Sequence, residues 1–292
     1  MTWEELFADW AKPPGKSEQD RCENTARAIR EAIANSDKLN YRNVRVFIHG
    51  SLRNRVNVRA ESDVDGGTLY PGTFFSEPPP GHTRDELGED ATYQYPQFKK
   101  EVGEALVAHF GRDAVRRTNK TFEVRANTYR VDADVTPFFE YRHYVTLDRW
   151  HTGVAFIPDN GRLIVNWPEQ NYANGVAKNQ ATGESFKGIV RILKRLAVEM
   201  EARNVAAARS VCGFLVESMA YNTPDACFTY STWWKSVREV LAFIFNNTMT
   251  DESCAQRTET NEMKFLFHPT QRWTRTEAHA FVDAAWNFLG LQ

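Results

Sequence analysis

A strand that ends in a glycine-serine pair and leads to two closely spaced aspartates is the feature that most restricts the fold of this chain. Residues 44–50, VRVFIHG, are rich in β-branched and aromatic side chains and alternate in polarity, which predicts a strand entering a turn at Gly50. Ser51 follows directly, and Asp63 and Asp65 come one loop later. Because alternate residues of an extended segment point to the same side, both carboxylates are expected on one face.

A second acidic segment lies in residues 121–139. Apolar and polar residues alternate there on both sides of Asn127, as they do in a pair of strands. Asp132 and Asp134 share one face of the second strand, and the apolar residues around them share the other. One of these acids can add a third carboxylate to the first pair. Asp134 is the preferred candidate and Asp132 the alternative.

The two halves of the chain differ in their patterns. Before residue 168, strand patterns alternate with helical ones, and an exposed excursion is predicted at 71–92, where three prolines follow one another. Beyond residue 168, helical periodicity dominates. Its segments are 184–205, 208–221 and about 275–289. The sequence therefore predicts a mixed α/β lobe at 1–168 and a helical lobe at 169–292.

Composition and charge exclude several classes of function. The chain has 292 residues and a formal net charge of -2, so a stable nucleic-acid duplex is not an expected partner. The start, MTWEELFADW, lacks a signal-peptide pattern, and no apolar run approaches the ~20 residues that span a bilayer, which predicts a cytoplasmic protein without membrane attachment. Four cysteines without C-x-x-C spacing predict neither zinc nor disulfides.

Carboxylates on strands beside a small-residue turn are the groups that two-metal phosphoryl transfer requires. Carboxylates bridge two Mg²⁺ ions about 4 Å apart, and the amides of Gly50 and Ser51 can approach a triphosphate closely. Alone, an Asp-x-Asp pair in a charged loop is more often a solvated turn. The combination of strand, Gly-Ser, Asp-Val-Asp and a later acidic strand favours the catalytic interpretation.

This combination resembles the polymerase-β-like nucleotidyltransferase superfamily. Within it, the segments GSLRNRVNVRAESDVD, VDADVTPFF and NYANGVAKNQATGESFKGIVRILKRL are similar to the cGAS/DncV-like nucleotidyltransferases of bacterial CBASS anti-phage systems. The resemblance implies an α+β fold: a nucleotidyltransferase core with a mixed sheet flanked by helices, a C-terminal helical lobe, and an active site in the cleft between them. It implies synthesis of a cyclic di- or trinucleotide messenger from nucleoside triphosphates, with release of pyrophosphate.

The resemblance also assigns roles to residues and ligands. The implied catalytic and metal-binding positions are Asp63, Asp65 and Asp134. The positions implied to bind the triphosphate are Gly50, Ser51, Lys187 and Lys194. The implied metal is Mg²⁺, for which Mn²⁺ can substitute, and no zinc is expected. The implied ligands are ATP and, at a second site, UTP or GTP; regulatory or effector proteins of CBASS are the implied partners.

The basic residues allow two interpretations. Lys187, Arg191 and Lys194 recur at helical spacing, and residues 185–198 contain no Asp or Glu, so an unpaired basic row suited to phosphates is favoured over a solvated face for the two lysines. For Arg191 both interpretations stay open. They also stay open for the loop arginines, where local ion pairs with Glu61 or Asp63 compete with phosphate binding. These are Arg53, Arg55 and Arg59.

Asn166 ends the apolar segment LIVN, where the lobes are expected to meet. Its carboxamide offers a donor and an acceptor, and so can pair with O4 and N3–H of uracil. The hypothesis is that Asn166 favours UTP at one site. The alternative, an asparagine that caps a turn before Pro168, carries equal weight.

Two other functions remain compatible with the motifs. One is a transferase that stops at linear oligonucleotides, as oligoadenylate synthetases do. The other is a nucleotide-binding sensor without turnover. Gly66 and Gly67 depart from the apolar strand usual in the family after Asp-Val-Asp, which predicts a bend or bulge there.

Overall fold

The structure is a computed structural model that describes residues 2–58, 63–87 and 92–291. It divides into two compact units. The α/β unit comprises Gly15–Leu52 and Ser62–Pro168, and the helical unit comprises Met1–Pro14, Arg53–Glu61 and Glu169–Gln292.

The units differ from the predicted lobes at the N-terminus. The sequence predicts one lobe over 1–168, whereas the first 14 residues and the segment from Arg53 group with the helical unit. The reason is packing, because Phe7, Ala11 and Val56 are buried in the core of that unit. Such contacts join residues far apart in the chain, and a local hydrophobic pattern does not reveal them.

The α/β unit is built on a mixed sheet that has seven strands in the described part of the chain. They are β1 (Arg45–Ile48), β2 (Val64–Glu77), β3 (Val115–Arg117), β4 (Phe122–Val124), β5 (Ala133–Thr146), β6 (Arg149–Phe156) and β7 (Ile164–Asn166). The order is β1-β2-β5-β4-β3, and β6 pairs with both β5 and β7. The central pair, β2 and β5, is parallel, and the other pairs are antiparallel.

Helices cover the sheet and form most of the second unit. The described helices are α1 (Trp3–Trp10), α2 (Lys16–Ala34), α3 (Gly50–Arg53), α4 (Tyr95–Phe110), α5 (Pro168–Ala181), α6 (Phe186–Ala202), α7 (Gly213–Tyr221), α8 (Trp233–Thr248), α9 (Asp251–Cys254) and α10 (Arg275–Leu289). In the α/β unit, α2 and α4 pack against each other and against the strands. Their apolar faces join the inner face of β5 in one core.

The core of the helical unit is formed by α6, α7, α8 and α10, with α1 packed on it. The helices predicted beyond residue 168 are all present, although α7 begins at Gly213 rather than at 208, because Ala206–Ser210 form a short 3-10 turn. Among the helices that the structure describes, none is long and apolar enough to cross a membrane.

The bend predicted at Gly66 and Gly67 is absent from the described strand, which pairs in regular register with β1 and β5 at both positions. The glycines serve close packing instead. A Cβ on Gly67 would lie 2.4 Å from the ring of Phe47, the residue opposite it on β1. The register shift of β2 occurs later, between Tyr70 and Phe74.

The prediction of an exposed excursion at 71–92 is wrong for the first part of that segment. Residues up to Glu77 belong to β2 and continue its pairing with β5, and Ser76 is buried. Pro71 and Gly72 suggested a loop locally, but they fall at the register shift, where the ladder tolerates them. Residues 88–91 lie outside the described residues.

Replacing Gly67 by alanine is expected to lower the free energy of unfolding by about 1–3 kcal/mol, because the new methyl group overlaps the Phe47 ring and must displace it. Urea unfolding followed by circular dichroism measures the change. Gly175→Ala is the matched control, since a Cβ at this position in α5 meets no atom within 4 Å. Equal stability of the two variants would show that Phe47 does not require a glycine opposite it.

Candidate active site

Two acids that the sequence separates widely are neighbours in the sheet. β2 and β5 run parallel, and Asp65 lies directly opposite Asp134 in their register. Adjacent strands are about 4.8 Å apart, so two side chains at one register position on the same face lie close together. Both aspartates are half-buried. The predicted choice of Asp134 as partner of the Asp-Val-Asp pair therefore agrees with the strand register.

The charges of these carboxylates interact. Partial burial and then the negative charge of Asp65 raise the pKa of Asp134 above its ordinary value. Asp63, immediately before β2, also has a raised pKa, because of desolvation and the charge of Asp132. A group of acids that repel one another in this way is stabilised by a cation.

Asp132, the alternative third acid, is engaged elsewhere. Its Oδ1 accepts a hydrogen bond of 2.6 Å from the backbone N–H of Ala126, in the connection between β4 and β5. Asp134 receives a weak contact, with 3.4 Å between its Oδ1 and the Oγ1 of Thr121. The geometry favours Asp134 as the carboxylate that remains available to a ligand.

The Gly-Ser turn lies against Asp65. Gly50 begins α3 with φ of 65°, in the left-handed region that favours glycine. A Cβ built on Gly50 would lie 2.0 Å from the Oδ2 of Asp65, so the carboxylate occupies the space that a side chain would need. The backbone N–H of His49 donates to the carbonyl of Asp65 at 2.9 Å. Ser51, the next residue of the turn, is half-buried.

The donor set of the α/β unit fits Mg²⁺ in its chemistry. Carboxylate oxygens are the ligands that this ion prefers, and Asp65 and Asp134 share one register position. No three Asp, Glu, His or Cys side chains in the described ranges already surround a common point as metal ligands do. Asp63, immediately before β2, is the third candidate ligand.

Asn166 is the last residue of β7 and pairs with Val154 of β6. It is half-buried, and its carboxamide makes no hydrogen bond with any residue that the structure describes. The capping alternative therefore gains no support. A carboxamide that has no hydrogen-bond partner among the described residues is a candidate for contact with a ligand.

The sequence predicted that the basic residues of α6 are unpaired, and the structure corrects this prediction for two of them. Arg191 is buried and donates to the carbonyl of Ala11 at 2.7 Å and to the carbonyl of Arg55. Lys194 is only 5 % exposed and interacts electrostatically with Glu217. Glu217 lies on a different helix, outside the residues 185–198 on which the prediction was based.

Lys187 is the more accessible lysine of the row. It is half-buried, and its Nζ lies 5.8 Å from the centre of the Tyr172 ring. Burial and the nearby Arg55 guanidinium lower the pKa of Lys187. An ammonium in this setting gains from an anionic neighbour, which keeps Lys187 a candidate for the triphosphate.

One of the loop arginines, Arg53, binds an acid that the sequence did not indicate. Arg53 forms a bidentate ion pair with Glu169, with both N–O distances 2.6 Å, and its guanidinium lies 4.7 Å from the Tyr172 ring. Arg59 and Glu61 lie outside the described residues.

Glu217 was not predicted as a functional residue. It lies in α7, whose sequence GFLVESMAY is otherwise largely apolar, and it is buried. Its Oε1 accepts from the Nδ2 of Asn54 at 3.0 Å and faces the Nδ2 of Asn171 at 3.4 Å. A lone acid in a buried apolar helix is the signal that points to it, because such acids are almost never buried without partners.

Comparisons with known proteins find similar proteins that cover nearly the whole chain. The family model for the cGAS/DncV-like nucleotidyltransferase C-terminal helical domain matches residues 173–290. The cyclic dipyrimidine nucleotide synthase CdnE of Legionella pneumophila is 38 % identical, over 99 % of this chain and 98 % of that protein. The enzyme of the same description from Cecembia lonarensis is 34 % identical, over 98 % of each.

A solved structure has the same fold. The Rhodothermus marinus CdnE c-UMP-AMP synthase, determined with Apcpp and Upnpp, superposes with a TM-score of 0.86 at 25 % identity and covers 99 % of this chain and 97 % of its own. The predicted α+β fold with a C-terminal helical domain is thereby confirmed. The chain belongs to the cGAS/DncV-like nucleotidyltransferases, and it is an enzyme of the kind that joins nucleoside triphosphates into cyclic nucleotides.

Proposed function

We propose that this enzyme joins two nucleoside triphosphates, at least one of them UTP, into a cyclic dinucleotide with release of two pyrophosphates. The main support for nucleotidyl transfer is that Asp65 lies opposite Asp134 in the sheet, next to Gly50. The observation that supports UTP is the carboxamide of Asn166, which makes no hydrogen bond within the described part of the chain. Two relatives named as cyclic dipyrimidine nucleotide synthases, 34 % and 38 % identical, point the same way.

The metal in this proposal is Mg²⁺, with Mn²⁺ as a substitute, held by the carboxylates of Asp63, Asp65 and Asp134. When bound, such ions neutralise phosphate charge and lower the pKa of an attacking hydroxyl. The contribution of the chain is the pairing of its acids. Asp134, which lies directly opposite Asp65 in the sheet, is assigned as the third carboxylate of this group.

Small residues and lysines hold the triphosphate in this proposal. The backbone amides of Gly50 and Ser51 can approach phosphate oxygens closely because no Cβ stands at Gly50. Lys187 supplies positive charge from a half-buried position. Lys194 is assigned the same ligand, acting from a buried position as a fixed charge rather than as a flexible contact.

Ring closure distinguishes this proposal from a linear product. The purified protein is incubated with Mg²⁺ and all four labelled nucleoside triphosphates, treated with phosphatase, and analysed by chromatography, beside Asp63→Asn/Asp65→Asn. A phosphatase-resistant product that requires UTP is expected from the wild type alone. A phosphatase-sensitive ladder would indicate linear oligonucleotides, and nucleotide binding without pyrophosphate release would indicate a sensor.

Exchange of Asn166 for serine is expected to lower the ratio of UTP to ATP incorporation about tenfold, equivalent to about 1.4 kcal/mol. Serine cannot form the bidentate pair with uracil that a carboxamide can. Competition assays with both nucleotides measure the ratio. Asn160→Ser, at an exposed position of the same unit, is the control and should leave it unchanged. An unaltered ratio in Asn166→Ser would remove the assignment.

We also assign a cellular location and partners to the enzyme. Nucleoside triphosphates are cytoplasmic metabolites, so the enzyme acts in the cytoplasm. A cyclic nucleotide messenger needs a protein that binds it, and the partners we assign are regulatory or effector proteins of a CBASS system.

A further inference from the structure

Residues 53–58, which we call the anchor segment, follow directly on the Gly-Ser turn. Most of the segment is buried in the helical unit. Its buried residues are Asn54, Val56, Asn57 and Val58. A loop that served only to connect two strands would run over the surface, because buried backbone needs internal hydrogen-bond partners. The burial therefore indicates that the position of this segment is specified.

Three polar contacts attach the anchor segment to three different helices. Arg53 forms its bidentate ion pair with Glu169 of α5. Asn54 donates to Glu217 of α7 at 3.0 Å. The carbonyl of Arg55 accepts from the guanidinium of Arg191 in α6. Three consecutive residues are thus held from three directions.

The contact between Asn54 and Glu217 differs from the other two because both of its partners are buried. Asn54 is 5 % exposed and Glu217 is 3 % exposed. Burial raises the pKa of Glu217, whereas the positive charge of Lys194 and the hydrogen bond from Asn54 act to lower it. The Asn54 amide is also buried, and a buried donor that loses its acceptor is costly. This contact therefore restricts Asn54 to one position.

We infer that Glu217 is a positioning residue for nucleotidyl transfer: by accepting the Asn54 amide it fixes the anchor segment and, through the chain, the Gly50-Ser51 turn. Arg53 is the last residue of α3, which begins at Gly50. Fixing Asn54 therefore limits where the backbone amides of the turn can lie. The inference rests on the proposed role of that turn in binding the triphosphate.

Asn54→Ala tests the contact directly. We expect it to raise the KM for nucleoside triphosphate about tenfold and to change kcat less than threefold, since the carboxylates that perform the transfer are untouched. Asn171→Ala is the matched control, because Asn171 faces the same Glu217 oxygen from α5 without belonging to the anchor segment. Its KM should stay within twofold of wild type.

Two exchanges of Glu217 separate positioning from stability. Glu217→Gln keeps a carbonyl that accepts from Asn54 but removes the acidic group beside Lys194, so it should lower the melting temperature and keep KM within threefold. Glu217→Ala removes the acceptor and should raise KM as much as Asn54→Ala does. The double variant Asn54→Ala/Glu217→Ala should be no worse in KM than either single exchange, because both break the same contact.

If KM rises in step with the loss of melting temperature across all these variants, the inference is overturned and Glu217 is a packing residue. Equal KM effects of Asn54→Ala and Asn171→Ala would overturn it as well. Ser51→Pro, which removes one backbone N–H of the turn, separates this failure from that of the proposed site. If Ser51→Pro raises KM and Asn54→Ala does not, only the positioning role fails. If neither raises KM, the assignment of the triphosphate to the Gly-Ser turn fails.

Discussion

Replacing Asp65 by asparagine is expected to lower the rate of nucleotidyl transfer by about a thousandfold while the protein stays folded. The amide preserves the size of the side chain but removes the charge that a bridging metal ligand must carry. Loss of a ligand of this kind costs several kcal/mol of transition-state stabilisation, and about 1.4 kcal/mol corresponds to tenfold in rate. Pyrophosphate release under saturating nucleotide and Mg²⁺ measures the effect.

Asp132→Asn is the matched control for this experiment. Asp132 belongs to the same acidic cluster, but its Oδ1 is engaged with the backbone of Ala126. Its replacement should change the rate less than tenfold and act mainly on stability. If Asp132→Asn were as damaging as Asp65→Asn, the third acid would have to be reassigned.

Replacing Gly50 by alanine is expected to lower the rate about a hundredfold with only a modest loss of stability. The new Cβ would lie 2.0 Å from the Oδ2 of Asp65, so the carboxylate has to move away from its place. The φ of 65° adds strain of about 1–2 kcal/mol for a residue with a side chain. Strain alone affects folding, whereas displacement of Asp65 affects the reaction.

Gly290→Ala isolates the strain. Gly290 has φ of 69° at the end of α10, and a Cβ there meets no atom within 4 Å. The two variants should lose similar stability in thermal unfolding, and only Gly50→Ala should lose activity. A Gly50→Ala protein with wild-type turnover would show that Asp65 does not depend on the space at Gly50.

The chemical core of the candidate site was predictable because its signals are local. A β-branched strand before Gly50, the Asp-x-Asp spacing and the alternation around Asp134 all follow from the period of a strand. The choice between Asp132 and Asp134 required the structure, because it depends on a register with a distant strand and on a backbone donor at Ala126.

The errors share one physical cause, which is dependence on partners far away in the sequence. Gly66 and Gly67 suggested a bulge, whereas the ring of Phe47 on another strand explains why Gly67 lacks a side chain. Lys194 has no acid among residues 185–198, the segment that suggested an unpaired basic row, but Glu217 of α7 lies close to it. Periodicity and spacing describe one element at a time, so they could not supply these contacts.

The most direct test of the account is anomalous diffraction from crystals of the protein grown with Mn²⁺ and a non-hydrolysable nucleoside triphosphate. We expect two Mn²⁺ peaks about 4 Å apart, bound by the carboxylates of Asp63, Asp65 and Asp134, with the triphosphate on the amides of Gly50 and Ser51. Mn²⁺ bound beside Asp132 and away from Asp134, or a triphosphate held without the Gly-Ser turn, would contradict it.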